Sequence, residues 1–529
     1  MAFAFALVPE PSDADPSFEL PTVWRLMSAP PASAEDRLAL ADQAIRALEA
    51  SGAPNPSVLI DLMRIRSAAL IELGRTAQAA MSFERKADLA HEMGLSVERD
   101  PVVFYNRAED LHASTGNGAA SARAKGKSKR MQDSARTIVE GTEGRSNVRL
   151  LYATDRARSG MDGPLEFYSY DRGGLESGEV TVSIPPNHRR GQMEQPSLLR
   201  LEFGAKAGRH VVLEEVVPLV ESAFLSKLQD RLADAKTREV LVYIHGYNVS
   251  FDTAMRRAAQ IVYDLRYDGV PVVYSWPSHG TTFGYIADSA AVRHSGRNLK
   301  EFLSELVETL GDEKIHLIAH SMGNRALTDA LELLAVERGA TIATPPIFQE
   351  VVFAAPDVDA GLFGVMSATF KPLARRMTVY ASSEDVALSV SKRLHGRTPR
   401  AGQGGDEIHV FDGIDSIDMS AVGDDLMSHD YFAEDSTALL DLLTLFWRNA
   451  PPSARCGLEA VSLPAGQVWR LRPGLCSDRR LLDIMSDLRT LGVADRDTAE
   501  RYLDEIDGVN RLRGHTRTIV LQIFSDPVQ

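Results

Sequence analysis

The chain has 529 residues, which is too long for one compact core and predicts two or three domains. Apolar residues make up 44% and charged residues 25% of it, so a wholly disordered or membrane-embedded chain is excluded. The net charge of −15 argues against nucleic acid as the main partner. No apolar run reaches about 18 residues and the start lacks signal-peptide features, so we expect no membrane span and a cytoplasmic protein.

The two cysteines, Cys456 and Cys476, are too few for a disulfide framework or for a zinc site with paired CxxC ligands. We expect them to be ordinary core thiols, which would form a bridge only if the protein were exported. The sequence contains neither the GxxxxGK pattern of a phosphate-binding loop nor the HExxH pattern of a zinc protease. We therefore expect no cofactor and no metal.

Within residues 1–112, which we expect to form one helical domain, apolar side chains recur at helical spacing from Ser33 to Gly94, interrupted at Ala53–Pro56 and at Gly74. This pattern predicts helical hairpins, and residues 69–90 resemble a single tetratricopeptide repeat, with a plain helical bundle as the alternative. Such a region would bind a protein partner or mediate self-association. The next segment, residues 113–146, is rich in Gly, Ser, Ala and charge and predicts a flexible linker.

From residue 147 to residue 448, strand-length apolar runs alternate with helical patterns. The runs include residues 240–244, 314–319, 376–381 and 407–411. The alternation predicts an α/β domain whose mostly parallel sheet is covered by helices on both faces. Residues 449–529 are expected to form a small appended domain without chemistry of its own.

The strongest local signal surrounds Ser321, where an apolar strand stops and a helical pattern follows. Ala319 and Gly323 flank the serine at the two positions that must be small in a sharp strand-to-helix turn. Ala319 departs from the G-x-S-x-G pattern, but a single methyl group still fits beneath the turn. The motif predicts a nucleophile elbow.

A second signal lies earlier in the chain, where the strand 240–244 leads into His245 and Gly246. Acyl transfer needs two backbone N–H groups that converge on one oxygen atom, and Gly246 would allow close approach. We assign these oxyanion-hole donors to Tyr247 and to Met322, the residue after the nucleophile. His245 is expected to hold the loop by hydrogen bonds, and a catalytic role for it stays open.

The base must be a histidine that follows the nucleophile in this chain order. His409 lies in an apolar strand pattern and His515 lies in the tail, which leaves two candidates. His429 is favoured because it follows the last strand in a polar loop, and His395 is the alternative.

The acid has two candidates, because an aspartate follows each of two consecutive strands. Asp385 comes after the strand 376–381, and Asp357 comes after the preceding one. We favour Asp385, although either carboxylate could instead cap a helix.

These motifs together resemble the bacterial alpha/beta-hydrolase family known as domain of unknown function 900, over roughly residues 147–448. The matching motifs are Leu151–Arg156, His245–Asn248, Tyr274–Ser278, Tyr285 with Asp288, Ala319–Gly323, Ala354–Asp357, Tyr380–Ser383 with Asp385, and His429. The resemblance implies an alpha/beta-hydrolase fold with a triad of Ser321, His429 and Asp385. We assign substrate binding to His245, Gly246, Tyr285 and Asp288.

The expected activity is hydrolysis of an acyl bond, most often a carboxylic ester, in a small-molecule substrate. Two alternatives from other classes stay open. One is an acyltransferase that uses the same triad, and the other is an inactive hydrolase fold that binds a protein partner through its helical front.

Overall fold

The structure is a computed structural model, and it describes residues 31–50, 56–92, 101–135, 137–141, 144–196, 205–279, 285–421, 436–472, 476, 479–510 and 514–524. These residues belong to two compact units, 1–135 and 136–529.

The first unit is helical, as predicted. Its described helices are α1 (Ala34–Ala50), α2 (Pro56–Glu72), α3 (Thr76–Glu92), α4 (Pro101–Ser114) and α5 (Gly118–Ala135). Each packs against the next in the chain, and Gly74 turns the chain between α2 and α3 with a φ of 68°. Glycine tolerates this left-handed conformation at no steric cost.

Helix α5 lies where the sequence predicted a flexible linker, so that prediction is corrected. Ala120 and Ala124 are one helical turn apart and both are buried, which gives α5 an apolar stripe that packs onto α4. Small alanines supply this stripe, and a composition rich in Gly and Ser obscures it. The rest of the expected linker leads into the first strands of the second unit.

The second unit is built on one large, mostly parallel sheet, as predicted. Its strands are β1 (Ile138–Glu140), β2 (Ser146–Arg158), β3 (Tyr168–Ile184), β4 (Val212–Leu219), β5 (Glu239–Ile244), β6 (Val270–Ser275), β7 (Lys314–His320), β8 (Phe348–Ala354), β9 (Ala374–Ala381), β10 (Asp415–Asp418), β11 (Leu458–Leu463) and β12 (Gly466–Leu471). The order across the sheet is β11-β12-β10-β9-β8-β7-β5-β6-β2-β3-β4, and β1 pairs with β2. In this order, all strand pairs from β10 to β2 are parallel. Antiparallel pairs lie at both edges, where β3 pairs with β2 and β4, and β11 pairs with β12.

Helices cover both faces of this sheet. They are α6 (Glu221–Asp234), α7 (Phe251–Asp264), α8 (Tyr285–Leu310), α9 (Gly323–Arg338), α10 (Ala360–Phe370), α11 (Val386–Leu394), α12 (Ser436–Arg448), α13 (Arg479–Thr490), α14 (Arg496–Asn510) and α15 (Gly514–Ile523). Alternate side chains of β5 enter two separate apolar cores, with Leu241 and Tyr243 in one and Val240 and Val242 in the other. Because the strand is buried on both faces, its sequence is apolar from Val240 to Ile244. None of the helices in the described parts of the chain is long and apolar enough to cross a membrane.

The C-terminal segment differs from the appended domain that the sequence predicted. Strand β12 pairs in parallel with β10, so the hairpin of β11 and β12 extends the central sheet. Side chains of α13 to α15 join the same apolar core as β5 and α12. Cys456 and Cys476 form a disulfide in this segment, which corrects the expectation of free core thiols.

The strand predicted at 407–411 is also displaced in the structure. Residues 405–407 form a short 3₁₀ helix, and the strand that pairs with β9 is β10, which begins at Asp415. The run 407–411 is apolar because Phe411 packs into the core beside α10, where its ring contacts Phe363.

Candidate active site

The sheet reverses its direction of growth between β5 and β7. From β5 the chain moves outward to β6 and then returns to the other side of β5 as β7. In parallel α/β sheets, ligands bind at such a switch point, outside the carboxyl ends of the strands. The loop that begins at His245 and the turn that contains Ser321 both lie at this place, because β5 ends at Ile244 and β7 ends at His320.

The turn at Ser321 has the backbone of a nucleophile elbow. Ser321 has a φ of 51°, in the left-handed region that β-carbon-bearing residues rarely adopt. Its N–H donates to the carbonyl of Ala354 at 2.9 Å, and its own carbonyl accepts from the N–H of Asp357 at 3.2 Å. The side-chain amide of Asn324 donates to both carbonyls, at 3.0 and 3.1 Å. The strained turn is therefore held by hydrogen bonds to the last residue of β8 and to the segment that follows it.

Two glycines allow the β5 loop to lie against the elbow. A β-carbon on Gly323 would lie 2.3 Å from the carbonyl oxygen of His245, which is far inside van der Waals contact. A β-carbon on Gly246 would lie 2.9 Å from the β-carbon of Ser321. The small residues at positions 323 and 246 are thus required by the closeness of two backbone segments. This closeness is what a pair of oxyanion-hole donors from Tyr247 and Met322 needs.

His245 lies in the interior beneath this loop. Its ring stacks on Trp276 with centroids 5.3 Å apart, and the indole N–H of Trp276 donates to the His245 carbonyl at 2.7 Å. Its Nδ1 donates to the Gly246 carbonyl at 2.8 Å, and its Nε2 lies 3.2 Å from the Ser275 hydroxyl. Burial, together with the nearby Arg156 guanidinium, lowers the pKa of His245 well below its ordinary value. A buried neutral ring with both nitrogens engaged supports the structural role for His245 and not contact with a substrate.

Asp357, the alternative acid, is enclosed by cationic and hydroxyl groups. Arg325 approaches its Oδ2 at 2.9 Å and Arg400 approaches its Oδ1 at 3.2 Å. The hydroxyl of Tyr285 donates to Oδ2 at 2.7 Å, and the hydroxyl of Ser391 donates to Oδ1. Both oxygens of Asp357 are therefore committed to a buried network that ties α8, α9 and α11 together.

Asp385, the favoured acid, follows β9 on the neighbouring strand and is buried. It caps α11, because its Oδ1 accepts the N–H of Leu388 at 2.9 Å. Asp357 and Asp385 both lie at the carboxyl edge of the sheet, since β8 and β9 run parallel. The favoured base, His429, lies outside the described residues.

His395, the alternative base, is the C-cap residue that follows α11 and is half-buried. Its Nδ1 donates to the backbone carbonyl of Ser391 at 2.9 Å. That nitrogen therefore does not bind the carboxylate of Asp357 or Asp385. The Tyr285 ring lies edge-on to His395 at 5.6 Å and to Tyr247 at 5.3 Å.

The two remaining substrate-binding candidates occupy different environments. Tyr285 is half-buried beside Tyr247, and burial together with Asp357 raises the pKa of Tyr285 to about 12. Asp288 is fully buried and accepts hydrogen bonds from the Ser278 hydroxyl at 2.6 Å and from the backbone N–H of His279 at 2.9 Å. These contacts support a role for Asp288 in fixing the loop after β6 and not in touching a substrate.

The residues that sequence reasoning missed are the partners of Asp357, namely Arg325, Ser391 and Arg400. Arg325 is the only one with a sequence signal, because it lies four residues after Ser321 and so faces the elbow from the first turn of α9. Ser391 and Arg400 come from the segment after β9, and no local pattern connects them with Asp357.

The parallel sheet, the switch point and the strand-elbow-helix turn define an alpha/beta-hydrolase fold. Residues 220–445 match the family model of alpha/beta hydrolases of unknown function, DUF900. The match confirms the family that the sequence motifs resemble, over a shorter span than the motifs suggested. Among curated proteins, none matches the chain.

Proposed function

We propose that the second unit is a serine hydrolase that cleaves a carboxylic ester through an acyl-enzyme intermediate. Ser321 is the nucleophile, His429 is the base and Asp385 is the acid. The N–H groups of Tyr247 and Met322 bind the oxyanion.

In this mechanism His429 takes the hydroxyl proton of Ser321 as its oxygen attacks the ester carbonyl. The carbonyl oxygen becomes an oxyanion and is stabilised by the two N–H groups. His429 then gives the proton to the leaving alcohol, which departs and leaves Ser321 acylated. Water repeats the sequence on the acyl-enzyme, releasing the acid and restoring the hydroxyl. Asp385 holds His429 in the required tautomer and stabilises its charged form.

The observation that carries the proposal is the left-handed backbone of Ser321 between a buried strand and the start of α9. A serine in this conformation presents its hydroxyl at a helix N-terminus, where the partial positive charge stabilises a developing anion. A serine that only capped the helix would use ordinary extended backbone. The commitment of Asp357 to Arg325 and Arg400 also supports Asp385 as the acid.

The test is Ser321→Ala in the full chain, assayed with activated esters of graded acyl length. If the triad acts as a unit, turnover falls by a factor on the order of 10⁶, while the circular dichroism spectrum and Tm are unchanged. A fluorophosphonate probe should label the wild type and not the variant. Near-normal turnover by a folded variant would refute the assignment of Ser321.

A further inference from the structure

A second polar cleft lies at the edge of the sheet opposite the elbow. Strands β5 and β7 begin there, at Glu239 and Lys314, and these two residues are paired in register. The cleft has a volume of about 500 Å³ and is walled by the segments 236–239 and 312–314, the end of α12 and the segment 492–494. It therefore lies a full strand length from Ser321 and plays no part in the proposed hydrolysis.

The cleft is basic, although the whole chain is acidic. Its lining contains five basic residues, Lys236, Arg238, Lys314, Arg448 and Arg489, and three acidic residues, Glu239, Asp312 and Glu313. The net charge of the chain is −15, so a local excess of positive charge is a departure from the rest of the molecule.

The acidic residues do not neutralise the inner part of the cleft. At the exposed rim, the Nε of Arg238 donates to Glu313 at 2.9 Å. Farther in, the single buried carboxylate of Glu239 is shared by Arg489 at 2.6 Å and Lys314 at 3.5 Å. One carboxylate thus faces two cations.

Arg489 is 3% exposed, its guanidinium lies over the ring of Tyr267 at 4.9 Å, and its Nη2 has the Glu239 carboxylate as a hydrogen-bond acceptor. Its Nε and Nη1 are buried without such a partner among the described residues, and so is the hydroxyl of Thr237 on the same lining. Leaving a buried donor unsatisfied is costly, so the structure favours an acceptor at this place.

Arg448 adds a cation without a counter-charge. Its Nη1 donates to the backbone carbonyl of Ala494 at 2.8 Å, and its guanidinium lies over the ring of Phe524 at 4.6 Å. Within the described ranges, no carboxylate forms an ion pair with it. Trp447 and Val493 supply an apolar wall beside it.

We propose that this cleft binds a phosphate group, either as free inorganic phosphate or as part of a phosphorylated small molecule. Guanidinium groups recognise phosphate through several N–H donors at once, and a phosphate has enough oxygens to accept from Arg448, Arg489 and Thr237 together. The bound anion would join the C-terminal helices to the starts of β5 and β7.

The test is calorimetric titration of the full chain with inorganic phosphate and, separately, with phenyl phosphate, at constant ionic strength set with chloride. Arg448→Gln is the test variant, because it leaves the pair of Arg489 and Glu239 intact. Arg338→Gln, at the exposed end of α9, is the matched control. We expect saturable 1:1 binding to the wild type and the control, and at least about tenfold weaker binding to Arg448→Gln.

The two ligands distinguish the two sources of phosphate. Tighter binding of phenyl phosphate means that the apolar wall of Trp447 and Val493 contributes and that the ligand is a phosphorylated small molecule. Equal or weaker binding of phenyl phosphate means free phosphate. Absence of saturable binding by both, or equal affinities in Arg448→Gln and Arg338→Gln, would overturn the proposal. Arg448→Lys should recover part of the lost affinity.

Discussion

The choice between Asp385 and Asp357 can be tested with two isosteric substitutions, because the two carboxylates have different partners in the structure. Asp385→Asn keeps the cap of α11, since asparagine caps a helix about as well as aspartate. We expect the free energy of unfolding to change by no more than about 0.5 kcal/mol. The catalytic cost is separate, because an amide cannot both orient the base and stabilise its positive charge. Turnover should fall by roughly 10⁴-fold.

Asp357→Asn should have the opposite signature. It removes the negative charge between Arg325 at 2.9 Å and Arg400 at 3.2 Å and leaves two largely buried guanidinium groups without a counter-ion. Breaking a buried ion pair by removing one partner costs about 3–5 kcal/mol. We therefore expect a lower Tm, and a loss of turnover in the folded fraction that is far smaller than 10⁴-fold.

The measurements are urea unfolding and turnover at saturating ester, made on the same preparations. Asp359→Asn is the matched control, because Asp359 caps α10 with a hydrogen bond to Leu362 at 2.9 Å and has no proposed catalytic role. It should retain both stability and turnover. A severe loss of turnover in folded Asp357→Asn with a mild loss in Asp385→Asn would reverse the assignment of the acid.

The close backbone contact at Gly323 and the raised pKa of His188 can each be tested. Gly323→Ala places a β-carbon 2.3 Å from the carbonyl oxygen of His245, so it should shift the elbow and lower kcat about 100-fold. Gly163→Ala is the control, because a β-carbon there meets open space and should leave kcat unchanged. Equal kcat values for the two variants would contradict the importance of this contact. Burial alone would lower the pKa of His188, but hydrogen bonds to Asp264 and Glu194 raise it to about 9. The stabilisation from protonated His188 is fully present below pH 6.5, the ordinary pKa, and is lost as pH rises through about 9. Urea unfolding of wild type and His188→Gln across this range should show a pH-dependent difference that shrinks toward alkaline pH, and a constant difference would contradict the assignment.

The elbow was predictable from sequence because its determinants are local. A buried strand, a serine between small residues and a helical pattern occupy about ten consecutive positions, and the chemistry of the turn restricts which residues fit. The network around Asp357 was not predictable, because Arg325 and Arg400 lie 32 and 43 residues away along the chain. Only the folded sheet brings them to the same carboxylate.

The C-terminal hairpin has a sequence signal, but it is too weak to stand out in this segment. The six-residue runs 458–463 and 466–471 are separated by two residues, which is the spacing of a tight hairpin. Their alternation is weak because β11 is an edge strand that is largely accessible to solvent. The strand was predicted at the wrong position for a related reason. Strand β10 is only four residues long, and the apolar run before it is a stronger strand pattern.

The parallel pairing of β10 with β12 joins the sheet to a strand that is synthesised after residue 448. A nascent chain that had reached residue 448 would carry β10 as a bare edge, because its second neighbour is synthesised only at 466–471. Domains generally fold as units during synthesis, but the central sheet of this unit is not complete before residues 466–471 have been made. Proteolytic cleavage after α12 would separate two strands and three core helices from the rest of the unit, so we expect it to unfold the hydrolase unit.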